Sequence, residues 1–500
     1  MELEFSNKVN DITKKNNSQG YLKHIKSTKV LKKIFNNIPQ YKYLLLIKHN
    51  KEIQKKLDIN VDDYRILSQI EIEITYTEYQ KDKFLKLFET EDKYINIMNK
   101  EDEQYYHIYI NDSKEELKNN AHIMNNDIKK VKIIIDYQVK SLAKLFLNCQ
   151  FIESINFKKF CRNNITDMNL MFQGCSSLKK INMSNFNTKN VKYMNNMFAF
   201  CEVLEEIDLA KFDTKNVIEM NGLFIYCSSI KELNVKNFDT KKVTSMIHMF
   251  GWCLNLKKLD LSNFDTSNVT NMGHMFDGSS SLEEINLSNF NTSQVTDMAH
   301  MFAECNSLKE LNLAHFNTNK VTNFSFLFCR CYELKELNIS NFNTENIINM
   351  ERMFNGCKLL KKLDLSNFNT SKVKYMPSMF YECNALEEIN IKSFNTENVI
   401  CMCNLFGKCS SLKEIDLSNF NTKNLKHMNF MFSECSSLVK IDISNFDINN
   451  LTELNYIFCG CSSLKELKIF NYNSNIFTKK NGLFDNCPKD ILIEIKEKNI

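Results

Sequence analysis

The sequence predicts an α/β solenoid, a right-handed coil with a parallel β-ladder and short helices, preceded by a small α+β head. Three observations predict it: a strict period of 26 residues, one short strand pattern per period, and a turn-forming segment after that strand. Composition agrees, because 38 Phe, 22 Met and 18 Cys stand against only 10 Gly and 3 Pro among 500 residues. Such a bias is typical of one core motif copied many times.

Cysteine marks the period. Thirteen cysteines stand 26 residues or a multiple of 26 apart, and only Ser279 interrupts the series. Counted from each cysteine, Phe recurs at offsets +11 and +23, with Tyr472 in the last +11 position. Residues repeated at a fixed period predict stacked units whose side chains form continuous interior columns. The series is Cys149, Cys175, Cys201, Cys227, Cys253, Cys305, Cys331, Cys357, Cys383, Cys409, Cys435, Cys461 and Cys487.

One unit, residues 253–278, reads CLNLKKLDLSNFDTSNVTNMGHMFDG. Leu256, Leu259 and Leu261 have L-x-x-L-x-L spacing, and the last two point to the same face of a strand. The next segment, SNFDTSNVT, is rich in turn-forming residues. Val, Met, Met and Phe at +16, +19, +22 and +23 then have near-helical spacing, which predicts one or two helical turns. Pro377 at +20 fits if the helix begins there.

The chain divides near residue 130. Residues 1–130 lack the period and are predicted to form a head, and residues 131–496 are predicted to form the solenoid, with 13 to 14 coils and terminal caps. Segment 21–60 contains ten Lys against Glu52 and Asp58, and its apolar residues keep helical spacing. It suits a basic amphipathic helix that binds a membrane surface or an acidic partner, or a small helical domain with a solvated lysine face. We favour the helical domain.

Alternating residues predict strands in the head and at both ends of the solenoid. Residues 69–76 and 105–110 alternate as strands do, so the head combines helices and strands. We expect residues 129–137 to form the first solenoid strand and to cap that end. A charged strand after Cys487 is expected to cap the other end.

The repeat strings resemble a known family. CSSLKKINMSNFNTKNV, NLKKLDLSNFDTSNVTNMGHMF and SLKEIDLSNFNTKNL are similar to BspA-like leucine-rich-repeat proteins, in the short-repeat branch found as surface proteins of bacteria and protists. The resemblance covers about residues 131–496 and implies adhesion or protein binding, with no catalytic residues. Two features depart from the pattern: Phe replaces the usual Asn or Cys three residues after the last strand Leu, and MELEFSNKVN does not resemble an export signal. The head segment VLKKIFNNIPQYKYLLLIKHNKEI resembles an F-box.

A polar column provides the candidate binding site. Strand positions +5, +7 and +9 face away from the core and are expected on the concave side, and +7 is almost purely Asn or Asp. This ladder could bind polar groups of a partner. Alternatively, it only makes the sheet soluble and forms hydrogen bonds between coils, and we favour this second interpretation. The ten candidates are Asn182, Asp208, Asn234, Asp260, Asn286, Asn312, Asn338, Asp364, Asn390 and Asp416.

Cysteine and histidine offer candidate metal ligands. Two C-x-C pairs could hold zinc if they met, but Cys329 and Cys459 are five coils apart, so we predict buried, reduced thiols. The three pairs are Cys329/Cys331, Cys401/Cys403 and Cys459/Cys461. His248, His274 and His300 share offset +21, which a helix would expose to solvent. They could form a metal site or a pH-sensitive patch, but we favour chance alignment and therefore predict no metal and no cofactor.

These patterns predict a non-catalytic scaffold that binds a protein partner through its repeat surface. The sequence has no P-loop, dinucleotide loop, nucleophile elbow or HExxH motif. A net charge of +4 from 64 basic and 60 acidic residues gives no basic excess for nucleic acid, and no apolar stretch is long enough to span a membrane. We expect a cytoplasmic monomer. The alternatives are a cell-surface adhesin and an F-box-like adaptor with the solenoid as substrate receptor.

Overall fold

The structure is a computed structural model of a parallel solenoid with an N-terminal cap. It describes residues 25, 27–36, 38, 44, 46–77, 102–117, 128–447, 450–451, 454–470 and 482–496. The helices are α1 (Thr28–Asn36), α2 (Lys51–Leu57) and α3 (Val61–Ser68). The strands are β1 (Ile70–Tyr76), β2 (Tyr106–Ile110), β3 (Lys130–Ile135), β4 (Ile152–Phe160), β5 (Lys180–Asn182), β6 (Lys258–Asp260), β7 (Glu284–Asn286), β8 (Lys362–Asp364), β9 (Glu388–Asn390), β10 (Lys440–Ile443), β11 (Glu466–Phe470) and β12 (Leu492–Lys496).

Two hydrogen-bonded ladders join successive coils. The first is formed by the short strands, which pair in parallel with a register of one period, as in Leu259 with Ile285. The second lies at offset +18 and links twelve successive turns, from Ser141 to His427. The predicted solenoid with a parallel ladder is therefore confirmed, and the period of the sequence is also the register of the structure.

The structure has consecutive turns where a short helix is predicted in each coil. His248 and Trp252 have φ of 55° and 57°, which is incompatible with a right-handed helix. The N–H of His248 donates to the carbonyl of Gly273 in the next coil, whereas that of Gly251 donates back to His248. Every second N–H group in this segment therefore donates to the next coil, instead of to the carbonyl four residues earlier as in an α-helix. The offsets of the apolar residues are compatible with a helix and with consecutive turns, so the sequence pattern could not distinguish these two structures.

The interior consists of the predicted columns. Phe250 and Phe276 at +23 stack with ring centroids 5.9 Å apart, and the +11 column forms a second stack. The ladder thiols have a hydrogen-bonding role, because Cys253 Sγ donates to the carbonyl of Phe224 at 3.3 Å. Ser279 makes the same bond with its hydroxyl, to Phe250 at 2.7 Å. All 18 cysteines are free, and burial raises the pKa of Cys253 to about 12.

Side chains also tie each coil to the next through its backbone. The Thr266 hydroxyl donates to the carbonyl of Asn291 at 3.0 Å and accepts the N–H of the same residue at 2.8 Å. Asn263 Nδ2 donates to the carbonyls of Val235 and Phe238 in the preceding coil. Equivalent Thr and Asn bonds recur along the stack, so buried backbone groups at the corners are satisfied.

The N-terminal cap is a mixed sheet with the strand order β2-β3-β1-β4-β5. Strand β1 is antiparallel to both β3 and β4, and β4 is parallel to β5. The strand expected at residues 129–137 is present as β3, but β1 separates it from β4. Because Ile70, Ile72 and Ile74 of β1 are buried in the solenoid core, the head contributes to that core. The division at residue 130 stays a prediction.

A buried carboxylate joins the parts of the cap. Asp136 follows β3 and accepts a hydrogen bond from Gln69 Nε2 at 2.8 Å. His107 Nε2 and an Arg65 guanidinium nitrogen lie 3.4 and 3.6 Å from its other oxygen. Burial opposes the charged form of Asp136, but the bonds from Gln69 and His107 outweigh it and lower its pKa. The helices make a separate small cluster that includes Leu31.

The C-terminal end is a parallel three-stranded sheet. Strand β11 pairs with β10 and β12, so the strand expected after Cys487 is present as β12. Among the described residues, no helix has the length and apolar character needed to cross a membrane.

Candidate functional site on the strand face

The strand face comprises the outward side chains at offsets +5 and +7. Nine of the ten predicted Asn and Asp residues are exposed there, and Asn390 is half-buried. The parallel register places them in one column, as Asp260 opposite Asn286 and Asp364 opposite Asn390 show. The structure therefore brings neighbouring candidates together. Whether they bind a partner stays a prediction.

Five of these residues end a strand, and all ten precede a turn. Asp260 Oδ1 accepts the N–H of Ser262, two residues later, at 3.2 Å, and all ten candidates make the equivalent bond. This is an Asx turn, which directs the chain away from the strand. Hydrogen bonds from Ser262 lower the pKa of Asp260. One bond links neighbouring coils, from Asn286 Nδ2 to Asp260 at 3.0 Å. Sequence reasoning missed the turn, although Asn or Asp before a turn-forming segment is its signal.

Charged side chains form a second column beside the polar one. Lys258 and Glu284, at offset +5 in adjacent coils, make an ion pair at 2.7 Å, and Lys362 and Glu388 do the same. Both signs occur along the column, and Glu is more frequent than Lys. Solvent screens each of these exposed pairs, so the charges matter more for which partner fits than for the stability of the fold.

The turn face, formed by offsets +18, +20, +21, +24 and +25, carries aromatic residues that sequence reasoning missed. Phe200, Tyr226 and Trp252 occupy +25 in three successive coils, with ring centroids 4.6 and 5.4 Å apart. Phe200 is exposed and the other two are half-buried. The available signal was an aromatic residue at one offset in three consecutive periods.

The three histidines also lie on the turn face. His248, His274 and His300 stack with centroids 4.4 and 4.2 Å apart. They are half-buried rather than fully exposed, because the segment is a series of turns instead of a helix. Asp277 accompanies them, with its Oδ2 at 2.8 Å from His274 Nδ1. The spacing of Asp277 from the histidines does not by itself connect it with them.

The C-x-C pairs are distributed as their offsets require. Cys331 and Cys461 belong to the buried ladder, and Cys329 and Cys459 lie at +24. The middle pair along the chain, Cys401 and Cys403, lies at +18 and +20, and both side chains are half-buried. A hydrogen bond from Cys403 lowers the pKa of Cys401. The separation of five coils between the first and last pairs rules out a shared ion.

Fold and surface together define a leucine-rich-repeat solenoid, the class that the L-x-x-L-x-L spacing predicts. Within that class, the chain belongs to the family described as Mycoplasma protein of unknown function, DUF285. The family model matches residues 140–258, 219–314, 304–389 and 385–491, which together are more than half of the chain. No curated protein matches the chain.

Solved structures of the repeat class are similar at low identity. A leucine-rich repeat protein from Bacteroides ovatus is 18% identical over 69% of this chain and 94% of that one, with a TM-score of 0.36. The functional domain of InlJ from Listeria monocytogenes, which includes a cysteine ladder, is 13% identical over 69% and 74%, with a TM-score of 0.24. The TLR13–ssRNA13 complex is 13% identical over 64% and 61%, with a TM-score of 0.18. The F-box-like resemblance finds no support in the comparisons.

Proposed function

We propose that the chain is a non-catalytic scaffold that binds a protein partner through its strand face. The observation that carries the proposal is the fixed geometry of that face. An Asx turn holds each +7 side chain, and ion pairs between coils hold many at +5. A surface whose side chains are already ordered loses less conformational entropy when it binds.

The charge pattern favours a protein over a nucleic acid. Phosphate backbones are bound by clustered Lys and Arg, whereas the +5 column contains both signs, as in Lys258 beside Glu284 and Lys362 beside Glu388. Mixed charges beside Asn and Asp suit the polar groups and charges of another protein surface.

Charge reversal on the strand face tests this proposal. Glu310 and Glu336 are exposed at +5, where other coils carry Lys258 and Lys362, so replacing both by Lys keeps the fold. Proteins captured by the full chain from extracts of its source cells are identified by cross-linking and mass spectrometry. We expect binding of the captured protein to weaken at least tenfold in the E310K/E336K variant.

A matched control carries the same charge change on another surface. Glu345 and Glu397 are exposed at +14, where other coils carry Lys189 and Lys423, so E345K/E397K is equally compatible with the fold. Equal binding by wild type and both variants, or equal losses in both variants, would contradict a site on the strand face. Turnover of a substrate by the full chain would contradict the non-catalytic assignment.

The second candidate is a cell-surface adhesin, favoured by the similarity of the repeats to BspA-like proteins. We propose a cytoplasmic monomer instead, because 18 free thiols suit a reducing compartment. Protease treatment of intact cells distinguishes the two, since it releases solenoid peptides only from an adhesin. Light scattering of the purified chain measures its oligomeric state.

A further inference from the structure

The turn face brings four chemically related side chains together in three successive coils. His274 Nδ1 lies 2.8 Å from Asp277 Oδ2, and His300 Nδ1 lies 3.9 Å from the same oxygen. His248 stacks on His274 at a centroid distance of 4.4 Å. Its Nδ1 is buried and has no hydrogen-bond partner within the part of the chain that the structure describes. The cluster thus combines an aspartate shared by two imidazoles with an unsatisfied imidazole nitrogen.

The backbone does not require these residues. Offset +21 has positive φ in every described coil, and Asn196, Phe326 and Ser378 occupy it as well as histidine. Offset +24 holds Ala199 and Ala303 in other coils. Since small, polar and aromatic residues all fit, the fold gives no reason for three histidines to surround one aspartate.

The donor atoms are close enough for one ion. The ligand atoms of His274, Asp277 and His300 all lie within 4.8 Å of one another. Zinc binds imidazole nitrogen and carboxylate oxygen at about 2.0–2.2 Å, which holds ligand atoms roughly 3.5 Å apart. The distances from Asp277 Oδ2 to His274 Nδ1 and His300 Nδ1, 2.8 and 3.9 Å, lie on either side of this spacing. The His248 ring, with its buried Nδ1, stacks directly on His274.

The imidazoles of His274 and His300 offer ring nitrogens, which are the commonest protein ligands of transition-metal ions. An aspartate oxygen completes a donor set of the kind that zinc, nickel and cobalt prefer.

We propose that His274, Asp277 and His300 form a binding site for a divalent transition-metal ion, with His248 available as the fourth ligand. When His274 Nδ1 coordinates the ion, the proton on that nitrogen moves to Nε2 of the same ring by exchange with solvent, and the ion replaces the hydrogen bond to Asp277. Because the ligands come from two adjacent coils and the fourth from a third, the bound ion links three coils through side chains.

Nickel titration of the full reduced chain tests the proposal. Ni²⁺ favours imidazole over thiolate more than Zn²⁺ does, which limits binding at cysteines. Trp252 is the only tryptophan and reports on the site. Its backbone N–H donates to the carbonyl of Asp277 at 2.6 Å, and its ring packs against Gly278. We expect calorimetry to show one high-affinity ion per chain and Trp252 fluorescence to be quenched with the same stoichiometry.

Substitutions that other coils already contain separate loss of ligands from loss of folding. Asp277→Ala introduces the residue found at Ala303, and His300→Asn introduces the residue found at Asn404. Each is expected to weaken nickel binding at least tenfold while circular dichroism stays unchanged. The matched control is His315→Asn, since His315 lies at +10, where Asn is the usual residue, and bonds to the carbonyl of Leu287.

A second control addresses thiol binding. Cys401→Ser/Cys403→Ser removes the half-buried thiol pair and introduces Ser, which other coils carry at Ser245 and Ser325. Nickel affinity that persists in both controls and falls in the two ligand variants supports the site. Absence of binding to the wild type, equal binding by Asp277→Ala and wild type, or a loss confined to the cysteine variant overturns it.

Discussion

The repeat coils and the N-terminal cap are stabilised in different ways. In the coils, many bonds recur every 26 residues, so the thiol of Cys253 and the hydroxyl of Ser279 donate to equivalent carbonyls of the preceding coil. In the cap, a single carboxylate, Asp136, joins Arg65 and Gln69 at the end of α3 to His107 of β2. The coils therefore spread their stability over many equivalent interactions, whereas the cap depends on one unique cluster.

The largest expected effect tests the interior columns. Phe250→Ala removes a fully buried ring that stacks on Phe224 and Phe276, and we expect it to lower the free energy of unfolding by about 3–5 kcal/mol. The measurement is urea denaturation followed by circular dichroism. Phe200→Ala, which truncates an exposed ring on the turn face, is the control and should cost roughly 1 kcal/mol. Similar losses would contradict a packed column.

The next effect tests whether coils are equivalent. Thr266→Val keeps the shape but leaves the N–H and C=O of Asn291 without their partner, which costs about 1–3 kcal/mol. Thr370→Val should cost the same, because its hydroxyl makes the same two bonds to Asn395. Exposed Thr270 supplies the control, and its replacement by Val should have little effect. Denaturation curves that differ strongly between the Thr266 and Thr370 variants would show that position in the stack matters.

A smaller effect with a pH signature tests the cap. We expect Asp136→Asn to destabilise the cap by about 1–2 kcal/mol near neutral pH, because it weakens hydrogen bonds to charged groups that are partly exposed. The folded pKa of Asp136 is lowered from 3.8, so its contribution is present above pH 3.8 and is lost as the pH falls through the folded value.

His107 produces the opposite dependence. Burial opposes its charged form, but hydrogen bonds to Glu116 and Asp136 outweigh burial and raise its pKa above 6.5. Its contribution is therefore complete below pH 6.5 and is lost as the pH rises through the folded value. The difference in unfolding free energy between wild type and Asp136→Asn should be greatest between these limits. Hydrogen exchange of β3 amides across the pH range measures it, and a difference independent of pH would argue against the cluster.

The smallest effect concerns the interrupted cysteine series. Ser279→Cys restores the period, and a thiol fits the position as it does at Cys253, so we expect a change of less than about 1 kcal/mol. The melting temperature of the reduced protein is the measurement. Cys305→Ser, the reverse exchange one coil later, is the control. A large loss from Ser279→Cys would show that this coil differs from its neighbours.

Periodic features were predictable from the sequence, and single features were not. The Cys and Phe columns follow from the spacing alone, because a period fixes which residues meet. The same spacing could not distinguish consecutive turns from a helix, since His248 at positive φ depends on bonds to the next coil. Nor could it place β1 beside β4 or Asp277 beside His300, because each is a unique pairing across the fold.

The direction of the backbone bonds in the turn segment has a further consequence. The backbone N–H groups of Met246, His248, Phe250 and Trp252 all donate to carbonyls of the following coil. In this segment each coil therefore donates to the next coil and accepts from the preceding one. A chain shortened or lengthened by one complete 26-residue unit would thus rejoin donors with acceptors, and the two terminal caps would meet unchanged neighbours. Length could vary in such a protein by whole units without redesign of either end.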